Sequence, residues 1–579
     1  MNYPRPLLLV LLVSLVSFEV AAQTSPDTSA ARTNAEQQQQ IHQQRDAQQR
    51  EATVAAPVVR ATALVPKGWP ALPDEQPCFP IETFALDVPA ALPKAVRDKG
   101  ASALPRDRFA FAREWLDRYR GRCIGRRGLD MLTKGLQHAI LSRGYLTTRV
   151  MLPTQNLSTG TLKLALVPGV IRRLNFADSS ARGTWKTAFP TRDGDVLELR
   201  DLEQGLEQMR RVRSQDATMQ IVPADLPGES DVVIGLKRSK PWSIVASADN
   251  SGTRETGGYL GSLTLGLDNP LGLNDILTAG YTQDLQFGDR GLGMHGWDGS
   301  YSIPWGYWTA TFFGYTNTYY QRIAGVNQTF TTSGNAQTAG LKLQRVLRRG
   351  QDDVFGAAFQ LVKRFGASFI EDIEIAQQRR NNTFVEGALT DRHYFGTAQF
   401  DGLLAYRQGI GWLGSAPDVS GGPTYRFHMA LLDANLSVPF AIGRQPFRYV
   451  ATVHGQFTGD ELNYIDDLAV GSRYTVRGFN GETMLAAERG FYWRNELQTP
   501  FGKTGHAVYA GLDYGRVWGP STAWLAGTQL AGAAIGLRGA VPTRSTTYRY
   551  DVFAGTPIYA PSGFPASSVT LGFQLTGQF

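Results

Sequence analysis

Ser567-Ser568-Val569-Thr570-Leu571-Gly572-Phe573-Gln574-Leu575-Thr576-Gly577-Gln578-Phe579 ends the chain, and its alternation decides the fold. Val569, Leu571, Phe573, Leu575 and Phe579 share one parity, while Ser568, Thr570, Gln574, Thr576 and Gln578 share the other. Successive side chains of a strand point to opposite faces, so the segment is apolar on one side and carries small polar groups on the other. Such groups suit a wet lumen better than a packed core, which makes this a stave of a membrane barrel. A half-buried strand of a soluble sandwich shows the same alternation, so the rest of the chain has to separate the two.

At 579 residues there is room for several domains. Glycine is abundant at 62 and aromatics reach 11%, while the longest apolar run lies at the extreme N-terminus, which excludes a helical membrane protein. There, Arg5 precedes the apolar stretch Leu7 to Val16, and Val20-Ala21-Ala22 precedes Gln23. This is the pattern of a secretory signal, residues 1–22, cut after Ala22. It is too short for a bilayer anchor, which needs about twenty apolar residues. Only Cys78 and Cys123 follow, an even count in an oxidising compartment, and a disulfide is expected. Closing a loop of that size stabilises a domain by roughly 4 kcal/mol in the chain-entropy account. Two thiols are too few to hold a metal.

Residues 23–54 read as a polar helix whose centre, Asn34 to Ala52, is rich in Gln, Glu and Arg, with Ile41 its one large apolar residue. A helix without an apolar face has nothing to bury in a core. It is either disordered or lodged in a polar channel. Residues 55–75, with Pro57, Pro66, Pro70 and Pro73, read as an extended linker. Compact mixed domains follow. Leu129, Leu132, Leu136 and Ile140 recur at helical spacing before Gly144, and strand-like runs cover Tyr145–Leu152 and Thr161–Val167. A second unit repeats that order, with strands at Val170–Phe176, Thr218–Val222 and Asp231–Leu236 around a helix at Leu199–Val212.

Here a resemblance becomes specific. Arg143-Gly144-Tyr145-Leu146-Thr147-Thr148-Arg149-Val150, then Leu152-Pro153-Thr154-Gln155-Asn156-Leu157 and Gly160-Thr161-Leu162, closely resembles the first periplasmic POTRA domain of two-partner secretion transporters of the haemolysin secretion/activation type. Cys78-Phe79-Pro80-Ile81 with Gly121-Arg122-Cys123-Ile124 resembles the same domain, and Leu199 to Gln208 resembles the helix of the second. The resemblance implies POTRA 1 at 76–168, POTRA 2 at 169–240 and an outer-membrane barrel at 241–579. In that family a polar N-terminal helix plugs the resting pore. Outer-membrane barrels are also similar in ending on an aromatic residue that the barrel-assembly machinery reads, a role that would fall to Phe579.

The barrel half can be counted without the resemblance. Strand-like runs lie near Ser243, Tyr259, Ile276, Gly296, Thr309, Ala336, Val354, Thr383, Thr397, Arg426, Tyr449, Tyr492, Val508, Leu530, Thr547 and Thr570, about sixteen, an even number as bacterial barrels require. The stretch from Phe369 to Tyr406 fixes its strands least well. Trp305, Tyr307, Trp308, Tyr319 and Tyr320 suit an interfacial aromatic girdle. Val476-Arg477-Gly478-Phe479 matches the family's motif at the tip of a long sixth extracellular loop that folds back into the lumen. On the run Ala507 to Trp518, Asp513 shares the inward parity with Tyr509, Gly511 and Gly515. By family analogy Arg477 pairs with Asp513, the nearby glycines, Gly515 among them, leaving room for the loop. A solvated Arg477 and a merely pore-lining Asp513 are the other reading. Arg494 and Glu496 share a face one strand earlier and join the network on parity alone.

No catalytic, cofactor or metal site emerges. Gly291, Gly293 and Gly296 fit a dinucleotide fingerprint without its strand-to-helix context, and Gly502-Lys503-Thr504 lacks the first glycine of a phosphate loop, Leu497 standing in its place. A net charge of +7 without a concentrated basic stripe gives no ground for nucleic-acid binding. The expected protein is an outer-membrane translocator that secretes a partner exoprotein bearing an N-terminal secretion domain, an adhesin, haemolysin or contact-dependent toxin. Its surroundings are outer-membrane lipid and the periplasm. A porin has no use for tandem POTRA domains, and barrel-assembly insertases of the same superfamily usually carry more of them without the polar helix.

Overall fold

The computed structural model describes residues 69–579 apart from 101–106, 180–182, 287–291, 325–327, 419 and 503. The expected signal, the polar helix and the linker up to residue 68 lie outside the described residues.

Sixteen antiparallel strands, from Trp242–Asp249 to Thr570–Gln578, close into a barrel. Each expected run falls on one of them or immediately beside it. In the stretch that alternation fixed least well, Asp353–Ile370 turns at Glu371 and Asp372, both at positive φ, and pairs with Arg380–Phe395 and briefly with Ile373–Glu374. Period two then sorts the side chains. Leu263, Trp297, Phe312, Leu404, Leu512, Ile535 and Leu571 point outward and are each more than half exposed. So broad an apolar surface is untenable in water and suits lipid. Inside, polar partners face one another, as with Arg407 and Glu386 at 2.8 Å.

The last strand pairs with the first, from Gln574 opposite Asp249 to Gln578 opposite Val245, and Phe579 exchanges main-chain hydrogen bonds with Ile244. The aromatic girdle needs two corrections. Trp305, Trp308 and Tyr320 are exposed on the outer face, but Tyr319 falls on inward parity and is buried at 2% exposure. Tyr307 sits in a periplasmic turn, where its hydroxyl donates to Asp201 at 2.5 Å.

Two small α/β units precede the barrel. In the first, Thr83–Asp87 lies parallel to Thr161–Val167, which pairs antiparallel with Arg149–Met151. The helix Arg126–Ser142 buries Leu132, Leu136 and Ile140 against that sheet. Strand structure is shorter than the apolar run Tyr145–Leu152 promised, because Tyr145 turns into the core beside Phe109 and Phe111. Helices Lys94–Gly100 and Ala110–Asp117 had no sequence assignment. Cys78 and Cys123 are joined, Cα to Cα 5.3 Å, beside the paired strands Phe79–Ile81 and Arg122–Ile124. The N-terminus of the 126–142 helix has no cap of its own. Glu75 supplies one, accepting from the amides of Gly125, Arg127 and Gly128 at 3.0, 2.8 and 2.7 Å.

The second unit orders its sheet as Val170–Phe176, Glu229–Arg238, Gln215–Pro223, with the helix Leu199–Arg210 packed on it. That helix also docks on the barrel. Gln204 and Gln208 each donate to the Gly306 carbonyl at 3.2 Å, and Arg349 reaches Gln204 and Glu207 at 2.9 and 2.7 Å. Upstream of the helix, Thr184 donates to the Gly272 carbonyl at 2.9 Å. Where the helix begins, between the two periplasmic units, burial pushes the Glu198 carboxyl up to about 7, and the neighbouring Asp201 charge adds to the rise.

Candidate functional site

Residues 459–488 connect the strands Gln445–Thr458 and Arg489–Pro500 at the extracellular end, the longest link between barrel strands. The sequence sends this loop inward because its flanks are apolar. Leu468–Val470 pairs antiparallel with Leu485–Ala487, and all six residues are buried. Beyond them, Val476, Phe479, Tyr492, Val517, Leu530 and Phe564 complete one apolar cluster between loop and wall. Val476 has no exposed surface, and Phe479 meets Phe564 edge-on with ring centres 5.7 Å apart.

That packing delivers Arg477 to the wall. Its Nε donates to Asp513 Oδ2 at 2.7 Å and its Nη2 to Asp513 Oδ1 at 2.8 Å, a bidentate pair, while its main-chain amide reaches Oδ2 at 3.0 Å. Nη1 donates to Glu496 at 2.5 Å and Nη2 also to the Asn495 carbonyl at 3.1 Å. Arg477 and Asp513 are 2% and 3% exposed, so neither charge has water as an alternative partner. Arg494, opposite Asp513 in the ladder, does not touch either carboxylate; it donates to the Tyr474 carbonyl at 3.1 Å and holds the loop by its backbone.

The approach depends on missing side chains. A Cβ on Gly511 would stand 2.2 Å from Arg477 Nη2, and one on Gly532 would stand 1.8 Å from the Arg477 carbonyl oxygen. At Gly515 a Cβ would meet Val470 and Val476 within 3.0 Å. Gly478 takes φ +105° and lies against the Thr556 carbonyl, so the motif's glycine answers both a backbone and a space requirement. Its carbonyl accepts from Thr570 on the last strand at 3.1 Å.

Sequence parity placed Tyr509 and Glu496 but missed Arg538 and Asp551 in the outer ring of this network. Arg538 pairs with Glu496 at 2.9 Å and Asp551 at 3.3 Å, and stacks over Tyr509, whose hydroxyl donates to Asp551 at 2.7 Å. All share inward parity on neighbouring strands, a signal available once register is known. Below the tip, a cavity of about 610 Å³ is lined by Arg448, Arg473, Arg494, Arg538 and Gln574 among others.

A sixteen-stranded barrel with a guanidinium-locked inner loop and two periplasmic POTRA domains defines an outer-membrane protein translocator. Residues 228–539 match the family model for haemolysin secretion/activation proteins ShlB/FhaC/HecB, and residues 92–169 and 170–223 match two POTRA models, the first of them ShlB-type. The chain belongs to the haemolysin secretion/activation family, in the outer membrane with its POTRA domains in the periplasm. It is similar to outer membrane transporter CdiB-2 of Burkholderia pseudomallei, 61% identical over 98% of each chain, and to the haemolysin transporter ShlB of Serratia marcescens, 27% identical over 87% of this chain and 88% of the relative. The solved structure of CdiB from Acinetobacter baumannii superposes with a TM-score of 0.82 at 25% identity, covering 94% of this chain and 99% of that one. The chain is therefore a transporter of two-partner secretion.

Proposed function

We propose that this chain exports one large partner exoprotein, an adhesin, haemolysin or contact-dependent toxin, and that an extended segment of the partner's secretion domain first adds as a strand to POTRA 2. The observation that carries this is an open sheet edge. In Gln215–Pro223, Ser214 and Ala224 bond across to Ser239 and Glu229, so even-numbered residues face the neighbouring strand and odd-numbered ones face out. Of the outward carbonyls, Ala217 accepts from Arg210 Nε at 2.7 Å; Met219 and Ile221 present theirs beyond it.

Two other POTRA edges are engaged by neighbouring groups, while that of Thr83–Asp87 meets a side chain at the Leu86 carbonyl, where Arg113 donates at 3.5 Å. Along Val170–Phe176, Ile171 bonds Asp195 and Gly194, and Leu174 donates to Asp193. Along Arg149–Met151, the Gln137 side chain takes both Thr148 O and Val150 N at 2.9 Å. Main-chain pairing on the free edge gives affinity, and alternate side chains give selectivity. The polar helix within 23–54 then leaves the lumen, the Arg477 lock governs passage, and Phe579 serves the barrel-assembly machinery as its recognition residue.

Placing proline at Met219 and at Ile221 removes both outward amides without altering the bonded register. Partner export should fall at equal barrel abundance; wild-type export would defeat the edge assignment. Deleting residues 34–52 should raise ion conductance in planar bilayers, and unchanged conductance would remove the plug. A channel readout with no exported protein would favour a porin.

A further inference from the structure

The sixth loop has a second fastening, far round the barrel from the first. Before it reaches the tip, the loop runs past the strands Asp353–Ile370 to His428–Ile442. Leu462 packs there in one buried cluster with Val362, Phe384, Phe427, Met429 and Leu431. Thr424 donates to the Glu461 carbonyl at 3.0 Å. Four residues on, Asp466 meets Arg364 at 2.5 Å, with side chains 2% and 14% exposed. Gln456 ties the two ends of the loop together, donating to the carbonyls of Asp466 at 2.7 Å and Glu488 at 3.0 Å.

Asp513 stands on the thirteenth barrel strand and Arg364 on the seventh, so the attachments lie six strands apart in a ring of sixteen. The loop is therefore a bar across the lumen, held at both ends. Only ten residues separate Asp466 from Arg477, which the Ser472–Thr475 turn presents, and Leu468–Val470 is already committed to its hairpin. Little slack remains between the fastenings. A shift of the Asp466 end is passed to the tip, where the glycine contacts leave the guanidinium no tolerance for misplacement.

We propose that Arg364 and Asp466 form a second latch, a positioning pair that holds the near limb of the loop so that Arg477 engages Asp513. Neither residue need contact the passing chain. Arg380 and Asp467 lie close to the pair, so losing either charge unbalances a buried charged cluster, and the near limb lifts from its wall.

The test uses the full-length barrel carrying Val476→Cys as a reporter, since Val476 is wholly buried when the tip is seated and the described chain has no free cysteine. Arg364→Gln and Asp466→Asn should each speed maleimide labelling of that thiol by at least about tenfold, the scale expected when one partner of a buried pair is removed. Arg364→Lys keeps the charge and should stay within about threefold of the parent, which separates pairing from mere packing. Export of the partner at equal folded abundance should follow the labelling. Parental labelling in both neutral variants would overturn the latch. So would a lysine variant that labels as fast as the glutamine one. Should a neutral variant fail to assemble, the exchange Arg364→Asp with Asp466→Arg replaces it: restored protection supports the pair, and failure to assemble or to protect overturns it.

Discussion

Asp513→Ala tests the lock at its most buried point. The carboxylate accepts three bonds from Arg477 and one from the Asn495 amide at 3.3 Å. Counting charges within the network, Arg477, Arg494 and Arg538 stand against Glu496, Asp513 and Asp551, so the deletion leaves one uncompensated cation. Glu496 stays within reach of the guanidinium and recovers part of the loss. Removing one partner of a buried pair costs about 3–5 kcal/mol. With some water reaching the lumen the lower end applies, and 3 kcal/mol is a little over a hundredfold in an equilibrium constant. The tip should therefore open about a hundred times more often. Val476→Cys reports this directly, because a thiol at that buried position reacts with a maleimide only from the open state. Labelling in the Asp513→Ala background should be about a hundredfold faster than with Asp513 intact. Rates within about twofold of each other would refute the claim that the ion pair, rather than the apolar cluster around it, seats the loop.

Gly511→Ala adds a Cβ 2.2 Å from Arg477 Nη2 and should lower export at unchanged barrel abundance, whereas Gly387→Ala, a barrel glycine with open space around its Cβ position, should not. Cys78→Ser with Cys123→Ser should cost POTRA 1 roughly 4 kcal/mol and raise its susceptibility to limited proteolysis in the full chain, with the barrel untouched. Glu198 titrates near 7 when folded, above its ordinary value of 4.5. An acid whose folded pKa is raised binds more protons folded than unfolded between those values, so the junction weakens as pH climbs through that window and levels off above it. Protection factors of the amides around residues 198–202, taken relative to base-catalysed intrinsic exchange at each pH, should be lower at pH 8 than at pH 5.5, and Glu198→Gln should flatten the difference.

The barrel was legible because each stave repeats the same period-two signal over eight or more residues, and the C-terminal stave shows it most cleanly. Arg477 and Asp513 were legible for a different reason. One sits in a motif and the other on a strand whose parity aims it inward. What stayed hidden has neither local period nor motif. The Arg364 and Asp466 contact spans 102 positions, and Glu75 caps a helix that begins about fifty residues later. Ala110–Asp117 is eight residues long and has no side-chain N-cap, so its tertiary contacts through Trp115 and Leu116, not its own propensity, make it a helix. Tyr307 was misread because an aromatic at a strand end satisfies the girdle pattern whether it meets lipid or a docked domain.

POTRA 2 grips the turns that follow the second, fourth and sixth strands, while the Arg477 tip leans on the twelfth through sixteenth. Buttress and tip thus bear on different arcs of one hoop, while the Arg364 end of the crossbar, on the seventh strand, lies beside the buttressed arc. Both arcs belong to one closed hydrogen-bonded ring, so the docked periplasmic domain and the seated tip share a continuous wall. The joint between first and last strands, five registered pairs extended by the Phe579 and Ile244 bonds at one end and by Asn250 to the Phe573 carbonyl at the other, is the shortest seam in that wall and lies between the two arcs.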